Sequence, residues 1–236
     1  MATSPICLLQ WLEPGEYQET KAALKNFSAE VNIEHFDVQT KDEADQALQT
    51  WFRNNVGNTQ FCFVGAHGVK GLAGKTVGVG ATARTEEYAR WREIWDWFAQ
   101  GELLGGLWLG ACQSSHAAAA LSSCLTLSKT PSAIPYIYGF KDAVYPREIE
   151  QILLKLLEFT RTEQVVWLDE ELGLLRAAVP GIAIELYYPA STSPQIVEYL
   201  NVDQMPARIG MTFRELLEMQ ARVGLGRPKQ AQRTRG

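Results

Sequence analysis

The chain of 236 residues is 46% hydrophobic and 21% charged, which excludes an intrinsically disordered chain and is enough to bury a sizeable core. A formal net charge of −5 leaves no overall attraction to nucleic acid or to an anionic membrane surface. Four cysteines, Cys7, Cys62, Cys112 and Cys124, are too few and too scattered for a disulfide framework, so a reducing, cytoplasmic setting is expected.

In chain order, the N-terminal stretch lacks a basic segment ahead of its short apolar run, so no signal peptide is expected. No run approaches the ~18 apolar residues of a membrane-spanning helix. Apolar, aromatic-rich runs at 6–12, 31–38, 59–66, 107–111 and 134–140 read as strands. Several are nearly continuous in apolar residues, the pattern of strands covered on both faces.

Helical patterns fill the intervals at 17–27, 42–55, 86–100, 114–125 and 146–159. Leu48, Trp51 and Phe52 share one face of the second; Trp91, Ile94, Trp95 and Phe98 share one face of the third, as core packing requires. Pro146 suits the first turn of the fifth. This alternation predicts an α/β fold: a three-layer sandwich with a mostly parallel central sheet and helices on both faces.

The pattern changes near residue 163. A helix at 167–179, a strand at 180–189 and a helix at 213–223 follow, separated by clusters of Pro, Ser and Thr. The expected organisation is a core at 1–162, an extension packed on it at 163–222, and a flexible tail at 223–236. Arg222, Arg227, Lys229, Arg233 and Arg235 make the C-terminus basic without acidic neighbours in sequence. A solvated tail is the reading.

In an open parallel sheet, ligands collect at the carboxyl ends of the strands. The third strand is expected to finish in Ala66-His67-Gly68, delivering His67 and Gly68 at that rim, and the fourth to end in Ala111-Cys112, where the next helix is expected to begin. A cysteine there has its thiolate stabilised by the helix dipole and free N–H groups. An imidazole within reach takes its proton and returns it to a leaving amine. The backbone N–H groups of Gly68 and Cys112 are the candidate oxyanion hole.

His67-Gly68 and Ala111-Cys112, with the histidine 45 residues upstream, resemble the caspase-like cysteine peptidases. In caspases the histidine precedes the cysteine by ~50 residues. The caspase pentapeptide Gln-Ala-Cys-(Arg/Gln/Gly)-Gly is not present, since this chain reads Gly110-Ala111-Cys112-Gln113-Ser114. The looser pattern of the CHAT peptidases, followed by a strand such as 134–140, is nearer, and the likeness covers about residues 1–160.

The resemblance implies a caspase-like fold and a cysteine endopeptidase with a His67/Cys112 dyad, no cofactor and no metal. A protein substrate is implied, with an activating protein partner and a role in regulated proteolysis such as bacterial defence or cell death. Asp142 in the pocket before the cleaved bond would select a basic side chain; Lys141, Lys70 or Arg84 there would select an acidic one. The alternative is a catalytically silent caspase-like adaptor that binds a partner through the residues after 163.

Other chemistries fit less well. Gly71 to Thr76 lacks the glycine of a phosphate-binding loop, whose position is held by Val69, so residues 68–80 are expected to be a mobile loop beside the site. An α/β-hydrolase elbow at Gly110-x-Cys112-x-Ser114 needs its histidine further downstream than His116. A zinc site built from Cys62, His67, Cys112 and His116 is disfavoured because Cys62 and His67 alternate to opposite faces of a strand. His35, mid-strand, reads as structural.

Overall fold

The computed structural model describes residues 5–27, 30–55, 61–99, 106–118, 120, 136–161, 168–189 and 199–222. Apolar runs with branched and aromatic side chains form strands β1 (Ile6–Trp11), β2 (Ile33–Asp37), β3 (Phe61–Lys70), β6 (Leu107–Gly110) and β7 (Ile137–Phe140). These five lie side by side in the order β2-β1-β3-β6-β7, and every adjacent pair is parallel. Helices α1 (Gln18–Phe27), α2 (Lys41–Asn54) and α3 (Trp91–Ala99) lie between these strands in the chain, and α4 (Pro146–Arg161) follows β7.

The helices cover both faces, giving the α/β sandwich that the alternation predicts. On one face, Cys7, Leu9 and Trp11 of β1 pack with Leu48 and Trp51 of α2 and with Ile94 and Trp95 of α3. On the other, Ile6 and Leu8 pack with Leu24 of α1 and with Ile149, Ile152 and Leu153 of α4. One strand feeds two cores because successive side chains alternate across the sheet. At about 25 cal/mol per Å² of apolar surface, this burial is the main force holding the layers.

The segment after residue 163 does more than pack on the core. Helix α5 (Leu168–Ala178) is followed by β8 (Ile184–Pro189), which pairs antiparallel with β7, and by β9 (Tyr199–Asn201), which pairs antiparallel with β8. The central sheet therefore continues into it. A 3₁₀ turn (Val202–Gln204) and helices α6 (Met205–Ile209) and α7 (Phe213–Arg222) complete the described chain. Arg222 is not without an acidic neighbour: one helical turn back, Glu218 approaches its guanidinium at 3.6 Å. The tail at 223–236 lies outside the described residues.

Residues 68–80 are not a loop. Strand β3 continues past the main sheet, and His67 to Lys70 pair antiparallel with β4 (Thr76–Gly80), which pairs in turn with β5 (Tyr88–Arg90). Glycines disguise this ribbon in the sequence, yet they permit it. A β-carbon on Gly78 would meet the Ala89 carbonyl oxygen at 2.1 Å, so the strands close only without one. Because Tyr88 to Arg90 are taken up by β5, helix α3 starts at Trp91 rather than at 86.

Helix α2 begins with a capping box. The Thr40 hydroxyl accepts from the Glu43 N–H, and the Glu43 carboxylate accepts from the Thr40 N–H. No helix among the described residues is long and apolar enough to cross a membrane.

Candidate functional site

The register across β3 and β6 sets the site. Phe63 stands opposite Trp108, and Gly65 opposite Gly110. Trp108 stands opposite Tyr138 of β7, and the two rings stack at 3.8 Å with Phe63 alongside. Two residues beyond the paired glycines come His67, still within β3, and Cys112, in the turn past β6, where it packs against the core that holds this aromatic row. The shared rim assumed for adjacent strands is thus what the sheet order provides.

His67 lies within β3 rather than at its end, where the strand leaves the main sheet and pairs with Gly80. Its Nε2 sits 2.9 Å from Oε2 and 3.1 Å from Oε1 of Glu16, in the turn that follows β1. The two side chains are 21% and 28% exposed, a half-shielded position in which a charge-assisted hydrogen bond keeps much of its strength. Glu16 went unrecognised in the sequence. Its position at the carboxyl end of a parallel strand was the available signal.

Cys112 is half-buried in the turn between β6 and the helix that begins at His116. It is therefore four residues short of the helix, and the expected dipole contact at a helix N-terminus is not what holds it. Its thiol donates to the Val144 carbonyl oxygen at 3.2 Å, and the Val144 N–H approaches the sulfur at 3.4 Å. No hydrogen bond joins His67 to Cys112.

The cysteine turn is anchored on both sides. Gln113 adopts a φ of 53°, uncommon for a residue with a side chain. Its N–H donates to the Asp142 carbonyl oxygen at 2.9 Å, and its Oε1 accepts from the Thr76 hydroxyl at 3.0 Å. Ser114, fully buried, donates through Oγ to the Leu109 carbonyl oxygen at 2.6 Å and accepts from the Phe140 N–H at 2.9 Å. Strands β4, β6 and β7 thereby fix the peptide around Cys112.

Of the oxyanion-hole candidates, Gly68 is brought against Cys112: a β-carbon at 68 would stand 3.1 Å from that of Cys112. Of the pocket candidates, Asp142 is closest by connection, since its carbonyl oxygen holds the residue after the cysteine and it is itself exposed. Lys141 is exposed and its N–H donates to the Ala183 carbonyl oxygen. Arg84 is exposed in the β4–β5 connection, four residues past the partner of His67. Lys70 ends β3 beyond the site.

Cys62 does face away from His67. It packs in the opposite core beside Cys7, whose thiol is pushed well up by burial and by contact with Cys62. His116 is exposed, and Cys124 lies outside the described residues. Among the described residues no three His, Cys, Asp or Glu side chains are grouped as metal ligands. His35 is largely buried, with desolvation holding its pKa below the usual value. No protein-family model matches the chain, and no curated protein matches it.

Proposed function

We propose that the chain is a cysteine endopeptidase in which Cys112 is the nucleophile and His67 the general base and acid, acting on a protein substrate. The observation that carries this reading is the placement of both residues two positions beyond the paired Gly65 and Gly110, at one rim of a parallel sheet. The ordered turn from Gly110 to Ser115 supplies the rigid mounting that a nucleophile needs.

In the proposed reaction, rotation about the Cys112 Cα–Cβ bond frees the sulfur from Val144. His67 takes the thiol proton, and the thiolate attacks the scissile carbonyl. The oxyanion develops beside the Gly68 and Cys112 N–H groups. Collapse of the intermediate breaks the C–N bond, and the imidazolium protonates the departing amine. Water, deprotonated by His67, then hydrolyses the thioester and regenerates the thiol. None of these steps needs a metal or a cofactor.

The likeness to caspase-like and CHAT peptidases supports a cytoplasmic role in regulated proteolysis, with bacterial defence or cell death as the setting. The thiol's engagement by Val144 favours a second reading, a catalytically silent binding module, or an enzyme that waits for an activating partner. Iodoacetamide at neutral pH separates these readings. Selective, rapid modification of Cys112 over Cys7, Cys62 and Cys124, together with peptide cleavage lost in Cys112→Ala, is the expected result. Cleavage that persists in Cys112→Ala would eliminate the mechanism, and equal or absent labelling would favour the binding module.

A further inference from the structure

We propose that Glu16 is a positioning residue that makes the dyad a Glu16–His67–Cys112 array. Its role in turnover rests on the peptidase reading above; the way it holds the ring does not. Both oxygens of its carboxylate reach one ring nitrogen, Nε2 of His67, at 3.1 and 2.9 Å. An ionised carboxylate only accepts hydrogen bonds, so Nε2 carries the proton. In the neutral ring this leaves the lone pair on Nδ1, which becomes the atom available to take the thiol proton.

The carboxylate is itself held in place. The Glu13 N–H donates to Glu16 Oε2 at 3.1 Å, and the Glu16 N–H donates to the Glu13 carbonyl oxygen at 2.9 Å. These two bonds close the turn through Pro14 and Gly15, so the acceptor is set by its own backbone. Strand β1 is the hydrogen-bonded neighbour of β3, with Trp11 opposite Ala66. Acid, imidazole and thiol therefore come from three successive strands, β1, β3 and β6. When the ring gains its second proton, the adjacent negative charge stabilises it, the service that the acid performs in a Ser-His-Asp triad.

The test uses the full chain with ¹⁵N-labelled histidine and two variants, Glu16→Ala and Glu16→Gln. In the wild type at mildly alkaline pH, His67 should show a protonated Nε2 and an unprotonated Nδ1. Glu16→Ala should move both ¹⁵N signals toward a tautomer mixture and slow iodoacetamide alkylation of Cys112 by about tenfold or more. Glu16→Gln keeps the shape and removes the charge, so it should also slow alkylation, and it decides the matter if the alanine variant does not fold.

A purely structural Glu16 would shift the thermal midpoint without moving the tautomer. Unchanged His67 signals in Glu16→Ala, or alkylation within about twofold of wild type in both variants, would overturn the proposal. The two readings fail separately. Peptide cleavage that survives in Cys112→Ala removes the peptidase mechanism and leaves the tautomer result to stand alone. A fixed tautomer with a uniquely reactive Cys112 removes Glu16 and keeps the dyad.

Discussion

Gly68 lies so close to Cys112 that a β-carbon on it would stand 2.4 Å from the Cys112 carbonyl oxygen and 3.0 Å from Thr76 Cγ2. The obstructing atom is backbone, so it cannot swing aside. Gly68→Ala should displace the cysteine turn, cost about 1–3 kcal/mol of stability and depress Cys112 alkylation. Gly15→Ala, where nothing lies within 4 Å, should leave the denaturation midpoint nearly unchanged. Urea unfolding of both variants checks this, and equal stability of the two would contradict the contact.

Ser114 bolts the cysteine turn to β6 and β7 through one buried hydroxyl. Ser114→Ala leaves the buried Phe140 N–H without the Ser114 acceptor, while the Leu109 carbonyl keeps the Ala111 N–H at 3.0 Å. Leaving a buried group unsatisfied costs about 1–3 kcal/mol. The loss should appear in chemical denaturation, accompanied by faster hydrogen exchange at Phe140. Exchange at wild-type rate would show that the hydroxyl is dispensable.

Gln10 is fully buried near the C-terminal end of β1, and neither atom of its side-chain amide has a hydrogen-bond partner among the described residues. Its side chain lies over Gly65, whose missing β-carbon makes the room. Replacing the amide with a thioether of similar length removes an unpaired dipole from an apolar layer. Gln10→Met should therefore raise stability by about 1–2 kcal/mol. A lower thermal midpoint would mean that the amide is satisfied in solution.

Burial raises the carboxyl of Glu171, in α5, from 4.5 to about 7. The native state thus keeps a proton that the unfolded chain has released. The contribution is fully present below pH 4.5 and is lost as pH rises through about 7. Glu171 is only partly buried, so the stability withheld is smaller than the full shift implies. Unfolding free energy measured from about pH 5 to about pH 8 should fall in the wild type and flatten in Glu171→Gln. A parallel fall in both proteins would assign the effect to another group.

Much of the architecture was legible because burial on both faces leaves a one-dimensional trace. The apolar runs at β1, β3, β6 and β7, and the helical stripes of Leu48, Trp51 and Phe52 and of Trp91, Ile94 and Trp95, appear where periodicity placed them. The ribbon of β4 and β5 left no such trace. Its Gly78 and Gly80 carry no side chain to mark the alternation, and its pairing depends on an extension of β3 that reads as a loop.

Local chemistry and pattern determined the secondary elements, the α/β class and the two residue types worth testing as a dyad. Only the tertiary structure decided that β3 and β6 are neighbours, that Glu16 takes the imidazole, that Val144 takes the thiol, and that Ile184–Pro189 and Tyr199–Asn201 extend the sheet. The physical reason is directional. Hydrophobic periodicity registers how far a side chain is removed from water, whereas a hydrogen bond between distant segments depends on strand order and register to within a fraction of an ångström.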